Sequence, residues 1–476
     1  MEKLLRKYPQ EAPRGGGDEG IRYRIFIDFG STFTKAVAFD MKNETLAGRA
    51  QAPSTVLTDV ATGLRAALSA LSEQIHITEE EVRGAIACSS AAGGLRMAVV
   101  GLVPDYTTKA AHLAALGAGA KVVGSFSHEL SRWELRELEE LDPDIVLLTG
   151  GTDGGNRKTI VHNAQMLAKS DIFAIIVAGN KSANDEIMEV FAETSKFVTY
   201  SPNVMPEFGF LDIEPVNQHI RELFISRIIH ARGMEKVSEI IAGVVCPTPS
   251  AVLQAAQLIA NGTDDEPGLG ELLLVDVGGA TTDVCSIAVG TPTREGARML
   301  GLREPTVKRT VEGDLGLYHN LDTLAAELET ELNPQERDAL ETALPELRDR
   351  LSIPDGQTLT RHQIALARAA VRTAVTRHVG RLEPVVTITG EAWVQRGKDL
   401  SNVRTVIGAG GPLAFSGDAR RVLTAALATP DEPLVLAPQR AELLLDERYI
   451  LFAVGLLARK EPSAALRIAK RYLQEI

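Results

Sequence analysis

Two rhythms of apolar and polar residues alternate along the chain. Residues 23–40 carry short apolar runs split by a glycine, the pattern of strand, turn and strand, and Asn43 marks the next turn. Residues 57–75 switch to helical spacing, while 82–88 form a brief apolar run that enters Ser89-Ser90-Ala91-Ala92-Gly93-Gly94. An alanine-rich helix is expected at 110–123, ending near Gly124. Strands recur at 145–149 and 173–178, each leading into a helical stretch, which is the alternation of a mostly parallel α/β sheet. These elements predict a first domain over 21–245.

Pro247-Thr248-Pro249-Ser250 interrupts the chain before an alanine-rich helix at 251–260, with Thr248 or Ser250 placed to cap it. A second strand-turn-strand pattern follows, inside a second domain expected over 246–445. The texture changes over about 301–378, where Leu324, Leu328, Leu332, Leu340, Leu344, Leu347 and Leu351 are spaced for helices among many Glu and Arg residues. A helical insertion with a solvated charged face is expected there. Residues 385–390 and 403–407 read as buried strands, the latter ending in Gly408-Ala409-Gly410-Gly411-Pro412-Leu413. A last helix at 446–459 carries small residues at Ala453 and Gly455, and the segment 446–476 is expected to return to the first domain. Ala251, Ala255 and Ala256 on the earlier helix offer it a close-packing partner, and the crossing is either a hinge between domains or ordinary core packing.

The two strand-turn-strand segments are near copies. Ile25-Phe26-Ile27-Asp28-Phe29-Gly30-Ser31-Thr32-Phe33-Thr34-Lys35 and Leu273-Leu274-Val275-Asp276-Val277-Gly278-Gly279-Ala280-Thr281-Thr282-Asp283 both read apolar, Asp, apolar, Gly. Thr34 aligns with Thr282, and Lys35 with Asp283. Each copy ends a strand with a carboxylate, and Gly30 or Gly278 is expected to turn with positive φ so that successive N–H groups face an anion. Ser31, Thr32 and Thr34 in one loop, and Thr281 and Thr282 in the other, add hydroxyl donors. A single Asp-x-Gly turn after a strand is commonplace. Its repetition with matching apolar flanks points instead to a polyphosphate held from both sides, with Asp28 and Asp276 holding Mg²⁺ through its waters.

Composition narrows the function classes. At 476 residues the chain can bury two or three cores, and its shares of 45% hydrophobic and 24% charged residues are those of an ordinary globular protein. A net charge of −13 argues against nucleic acid and anionic membrane surfaces, which repel it. Cys88, Cys246 and Cys285 are widely spaced without a CxxC, so neither a disulfide framework nor a zinc cage is indicated, and a reducing cytoplasm fits best. Residues 1–20 are charged, contain Gly15-Gly16-Gly17 and lack a continuous apolar stretch, which reads as a mobile leader and not as a signal peptide or membrane span.

The order of motifs now carries a resemblance. Asp28-x-Gly30-Ser31-Thr32, a Pro-led crossing helix, Asp276-x-Gly278-Gly279-Ala280-Thr281-Thr282-Asp283, Gly408-Ala409-Gly410-Gly411 and a closing helix resemble the first phosphate, connecting, second phosphate and adenosine motifs of the actin, Hsp70 and sugar-kinase ATPase superfamily. The implied fold class is α/β, with duplicated actin-like (ribonuclease H-like) domains and a helical insertion in the second. Four further runs resemble the accessory proteins of cobalamin-dependent glutamate mutase, the GlmL or MutL family, which is unrelated to the mismatch-repair protein of similar name. They are Cys88-Ser89-Ser90-Ala91-Ala92-Gly93-Gly94-Leu95-Arg96-Met97, Ala115-Leu116-Gly117-Ala118-Gly119-Ala120-Lys121-Val122, Leu148-Thr149-Gly150-Gly151-Thr152-Asp153-Gly154-Gly155-Asn156 and Val311-Glu312-Gly313-Asp314-Leu315-Gly316.

That resemblance implies ATP or ADP with Mg²⁺ as cofactors, slow ATP hydrolysis, and a chaperone-like role in reactivating a glutamate mutase or related aminomutase. It implies Asp28 and Asp276 at the metal, with Asp276 preferred for orienting the attacking water. Asp283 is either a second group near the metal or a turn cap, and Lys35 either neutralises a phosphate oxygen or is a surface lysine. Gly30, Ser31, Thr32, Gly278, Gly279, Thr281 and Thr282 would line the phosphates, with Gly408, Gly410 and Gly411 against adenosine. Ala280 and Ala409 stand where many superfamily members have glycine. The glycines of 149–156 serve either a close approach to a ligand or partner or a tight connection, and Glu312 and Asp314 face either nucleotide or solvent. His112, His128 and His162 show no metal spacing. Two other functions share the fold, a small-molecule kinase, for which no convincing catalytic Asp is found, and a nucleotide-switched filament or scaffold protein. A homo-oligomer stays open.

Overall fold

The computed structural model describes residues 22–30, 32–56, 58–90, 95–228, 234–318, 320–329, 334–349, 359–388 and 390–476. The expected leader, Ser31, Ala91-Ala92-Gly93-Gly94, Leu332 and Leu351 lie outside these residues. The chain divides into two compact units, Met1–Gly93 with Phe224–Ala251, and Gly94–Leu223 with Val252–Ile476.

The first unit is built on one five-stranded sheet. Its strands are β1 (Tyr23–Phe29), β2 (Phe33–Asp40), β3 (Thr45–Pro53), β4 (Ile86–Ser89) and, much later, β10 (Gly243–Pro247), in the order β10-β4-β1-β2-β3. The first three pair antiparallel and the others parallel. Ile25, Ile27 and Phe29 of β1 meet Leu64 and Leu71 of the Val60–Ser72 helix. That helix starts where the Asp59 side chain accepts the Ala61 N–H, and it buries Val60, Leu64, Ala67, Leu68 and Leu71 at helical spacing.

The second unit holds three sheets. β5 (Arg96–Gly101), β6 (Lys121–Ser127), β7 (Ile145–Leu148), β8 (Ala174–Val177) and β9 (Phe197–Tyr200) form an all-parallel sheet in the order β6-β5-β7-β8-β9. The stretch expected as one domain over 21–245 therefore contains two separate sheets. Periodicity announces strands and helices, but it does not encode which strands pair. The next sheet repeats the first unit's plan: β11 (Leu272–Val277), β12 (Thr282–Ile287) and β14 (Val307–Glu312) pair antiparallel, and β17 (Thr405–Ala409) and β18 (Glu442–Leu445) add parallel on the far side of β11. Numbered within each copy, both sheets run 3-2-1-4-5. This duplicated order is the actin-like, ribonuclease H-like α/β arrangement expected from the motifs.

Four local expectations change. The helix expected over 110–123 spans Lys109–Gly117, and Lys121–Ser127 is strand β6. The helices near the insertion span Leu321–Glu329, Pro334–Asp349 and Arg361–His378, whereas Val307–Glu312 inside the expected 301–378 insertion is a strand. Its Lys, Arg and Glu side chains match the charged texture of the helices around it, and Lys308 and Arg309 are buried side by side. Within 385–390, the described residues do not form one buried strand: Val385, Val386 and Thr387 end β15 (Arg381–Thr387), Gly390 starts its partner β16 (Gly390–Arg396), whose other neighbour is β13 (Arg298–Met299), and Val386 is 89% exposed. The C-terminal segment forms helices Leu451–Ala458 and Pro462–Tyr472 and then β19 (Gln474–Glu475), which pairs with β18 in the second unit's sheet. Among the described residues no helix is long and apolar enough to cross a membrane.

Beneath the repeated sheet of the second unit lies a buried basic cluster. Lys398 Nζ donates to Ser286 Oγ at 3.2 Å and to the Thr306 carbonyl at 2.7 Å, while Lys308 Nζ donates to Glu304 at 2.6 Å. The fully buried His378 ring meets Ser286 Oγ and Thr310 Oγ1, each at 2.8 Å. Burial, reinforced by the Lys308 charge, pushes the Lys398 ammonium down from 10.5 to about 7. Between those two values the unfolded chain holds a proton that the folded chain does not, so stability should rise with pH across that window. Lys398 alone contributes a slope of up to about 1.4 kcal/mol per pH unit. Urea unfolding at pH 7, 8.5 and 10 checks this: Lys398→Met should flatten the rise, and an unchanged slope would place the effect elsewhere.

Candidate functional site

The two motif copies fold alike down to the hydrogen bond. In the first, Asp28 is paired across the hairpin with Lys35 and Phe29 with Thr34; in the second, Asp276 is paired with Asp283 and Val277 with Thr282. The Gly30 N–H donates to the Phe33 carbonyl at 3.0 Å, and the Gly278 N–H to the Thr281 carbonyl at 2.9 Å. The alignment read from the sequence is thus also the alignment in space within each hairpin.

The glycines act differently from expectation. Neither Gly30 nor Gly278 has a positive φ. A Cβ on Gly30 would stand 2.8 Å from the Phe33 carbonyl oxygen, and one on Gly278 would stand 2.9 Å from that of Thr281. What the turns require is the missing side chain, not the left-handed backbone. A positive φ of 97° occurs instead at Gly410, where a Cβ would lie 2.1 Å from the Val277 carbonyl oxygen and 2.7 Å from Asp276 Oδ1. Gly410 thereby keeps the flank of the Asp276 carboxylate clear. Gly408 lies within β17 with its bare side towards Leu413 and Leu423, so it serves core packing, and Gly411 opens the short Gly411–Ala414 helix.

Asp28 is 1% exposed. It accepts from Lys35 Nζ at 3.2 Å on one oxygen and from Thr248 Oγ1 at 2.6 Å on the other, with Cys88 Sγ at 3.8 Å. Thr248, the first residue of the Thr248–Asn261 helix, therefore spends its hydroxyl on the carboxylate, where the sequence suggested a helix cap. Burial, and then the neighbouring Asp28 charge, raise the Cys88 thiol well above its ordinary value, so it stays protonated and unreactive.

In the second copy Asp276 is half-buried, with Ala409 of β17 beside it in register. Asp283 accepts from Thr281 Oγ1 at 3.0 Å on one oxygen and from Arg309 Nε at 2.9 Å on the other, where a second Arg309 N–H also bonds. The loop itself is pinned from behind. The Leu317 and Tyr318 N–H groups donate to the Gly278 and Gly279 carbonyls, Asn320 donates to the Ala280 carbonyl, and a Cβ on Gly279 would strike the Tyr318 ring at 2.7 Å. Thr282 is fully buried and its hydroxyl donates to the Leu315 carbonyl, whereas Thr32 is exposed.

Other candidates find plainer partners. Glu312 and Asp314 both accept from Arg377, at 2.7 and 3.1 Å. In the loop after β7, Asp153 accepts from the Lys181 N–H and from Asn203, and the buried Asn180 bonds Gly154, Gly155 and Asn156. Gly150, Gly151 and Gly154 have positive φ, so this loop requires its glycines for its own turn. His162 bonds the Leu130 carbonyl, and the described residues contain no cluster of three His, Cys, Asp or Glu side chains able to hold a metal. A hydrated Mg²⁺ needs fewer protein oxygens, and each carboxylate, Asp28 on β1 and Asp276 on β11, is by itself a hard oxygen donor of the kind such an ion takes through its waters. Sequence reading missed Thr248 and Arg309, because a threonine after proline and an arginine in a charged strand have many commoner uses.

Residues 24–473 match the family described as MutL protein. The chain belongs to the MutL protein family. A curated member, Protein MutL of Clostridium tetanomorphum, is 41% identical over 458 residues, covering 95% of this chain and 99% of that one. Solved structures resemble this chain only distantly. The activator of 2-hydroxyisocaproyl-CoA dehydratase from Clostridium difficile with bound ADPNP is 10% identical with a TM-score of 0.33, over 95% of this chain and 99% of that one. Xylulose kinase from Bifidobacterium adolescentis is 12% identical with a TM-score of 0.31, over 95% and 94%.

The Thr248 hydroxyl is a checkable part of the Asp28 environment. Thr248→Val removes a donor from a buried carboxylate and should lower stability by about 1–3 kcal/mol. An unchanged urea midpoint would show that Asp28 does not depend on it.

Proposed function

We propose that this MutL family member binds and slowly hydrolyses ATP with Mg²⁺, and acts as a chaperone-like accessory protein that maintains or reactivates a cobalamin-dependent glutamate mutase or related aminomutase. The observation that carries the nucleotide part is the repeated Asp-x-Gly hairpin, identical in register and turn bond at Asp28 and Asp276. Family membership supports the accessory role.

Phosphoryl transfer asks a protein chiefly for positioning and charge neutralisation. Mg²⁺, when bound, would supply the largest share of that neutralisation. Asp276 is half-buried at a strand end, and in this reading it accepts a proton-bearing water and aims it. Asp28 would work from the other hairpin, with Lys35 carrying positive charge beside it. Asp283, already held by Arg309, keeps the second loop in place and is an outer group for the ion. The Gly30 and Gly278 N–H groups hold the turns closed, so Thr32, Gly279 and Thr281 would offer the donors to phosphate oxygens, and the backbone at Gly410 and Gly411 would lie against adenosine. The protein would act in the cytoplasm, where the buried free thiols of Cys88, Cys246 and Cys285 stay reduced.

The test joins both halves of the reading. Oxygen-inactivated glutamate mutase carrying damaged cobalamin is incubated with the purified protein and Mg-ATP, and mutase activity is followed. Activity should return with the wild type. It should not return with Asp276→Ala, whose ATP turnover should fall by about 10²-fold or more. Recovery without ATP, or equal turnover in the variant, would remove the support for this function.

A further inference from the structure

Arg309 lies on β14, is 3% exposed at its side chain, and uses its guanidinium in two directions. Towards the second hairpin, Nε and one terminal nitrogen bond the same Asp283 oxygen. Away from it, the other terminal nitrogen donates to the Leu116 carbonyl at 2.9 Å and to the Ala120 carbonyl at 3.3 Å. Leu116 is in the last turn of the Lys109–Gly117 helix, and its carbonyl also accepts the Gly119 N–H at 3.0 Å, so Arg309 adds a second bond to a carbonyl already fixed by the helix end. That helix lies against β5 and β6 of the all-parallel sheet and also against β14.

A second tie fixes the other end of the same helix. Lys109, its first residue, pairs with Glu304 at 2.8 Å, and Glu304 also holds Lys308 on β14. Just past Arg309, Gly313 is so close to Lys121 of β6 that a Cβ would stand 2.7 Å from the ammonium. Two of the sequence runs that pointed to the family, 115–122 and 311–316, thus meet at this joint. The 311–316 run also backs the second loop, since Leu315 accepts from Thr282 and a Cβ on Gly316 would stand 2.2 Å from the Ala280 carbonyl carbon, whereas the 115–122 run meets it through Arg309.

We propose that Arg309 is a positioning residue that couples the second glycine loop to the Lys109–Gly117 helix, so that nucleotide bound at the loop is felt in the parallel sheet. The inference rests on the nucleotide reading of the Asp276–Asp283 hairpin. The physical reason is valence: a planar guanidinium can serve a carboxylate and two carbonyls at once, and a lysine ammonium cannot reproduce that fork. Any shift of Asp283 on ligand binding pulls on the carbonyls of Leu116 and Ala120. The interior around them is too closely packed to absorb it locally.

Amide hydrogen exchange of the full chain, with and without Mg-ATP, tests the coupling. In the wild type, peptides covering 276–283 and 115–122 should both change exchange on adding Mg-ATP. In Arg309→Lys, which keeps the positive charge beside Asp283, the change at 276–283 should persist and that at 115–122 should be lost. Without nucleotide, peptides outside both segments should exchange in Arg309→Lys as in the wild type, which shows that the variant is folded. A wild type that responds at 276–283 but not at 115–122 overturns the coupling alone. A response at 115–122 that survives in a folded Arg309→Lys removes Arg309 from it. No response at 276–283 would overturn the nucleotide reading, and the coupling with it.

Discussion

A carboxylate at the end of a buried strand must be neutralised, and the two hairpins meet that requirement in different ways. Taking a carboxylate out of water is costly unless it is paired and hydrogen-bonded. In the first copy the residue across the hairpin is Lys35, which reaches Asp28 directly, while Thr248 serves the other oxygen. In the second copy the same register places Asp283 across from Asp276, and like charges on opposed strand positions repel. Arg309, brought in by β14, answers the Asp283 charge. The third strand of the second sheet is therefore part of the site, because without it the duplicated motif would set two carboxylates side by side.

Much of this was legible in the sequence. The alignment of Asp28 with Asp276, Thr34 with Thr282 and Lys35 with Asp283 is the alignment of the strand registers. Alternating β and α patterns foretold a parallel sheet, and the glycines after residue 407 foretold a special backbone, which is realised at Gly410. What stayed hidden was partnership. β14 reads as a charged segment because Lys308, Arg309 and Glu312 find ions or carbonyls inside the fold, so their polarity says nothing about exposure. The opposite error occurred at 385–390, where apolar Val386 suggested burial and the hairpin exposes it. The role of Gly30 was misjudged for a local reason: a glycine can be required by the close approach of the Phe33 carbonyl as well as by its φ.

The parallel sheet of residues 96–200 stands outside the two duplicated sheets of the actin-like core. It is tied to the second hairpin's sheet by Arg309 and by the Lys109–Glu304–Lys308 chain, both within one compact unit. Its glycine loop after β7 is locked by Asn180 and Asn203, so its rigidity is built from its own side chains. Under the proposed function, a part is needed that reports the state of the glycine loops to something else, and this sheet is connected to the second of them.

The most direct measurement is calorimetric titration of the purified chain with ADP and Mg²⁺. One nucleotide should bind per chain, and affinity should fall by about tenfold or more, equivalent to about 1.4 kcal/mol, in Asp28→Asn and in Asp276→Asn taken separately. Binding that is absent in the wild type, or that survives both substitutions unchanged, would contradict the assignment of the paired hairpins to a nucleotide.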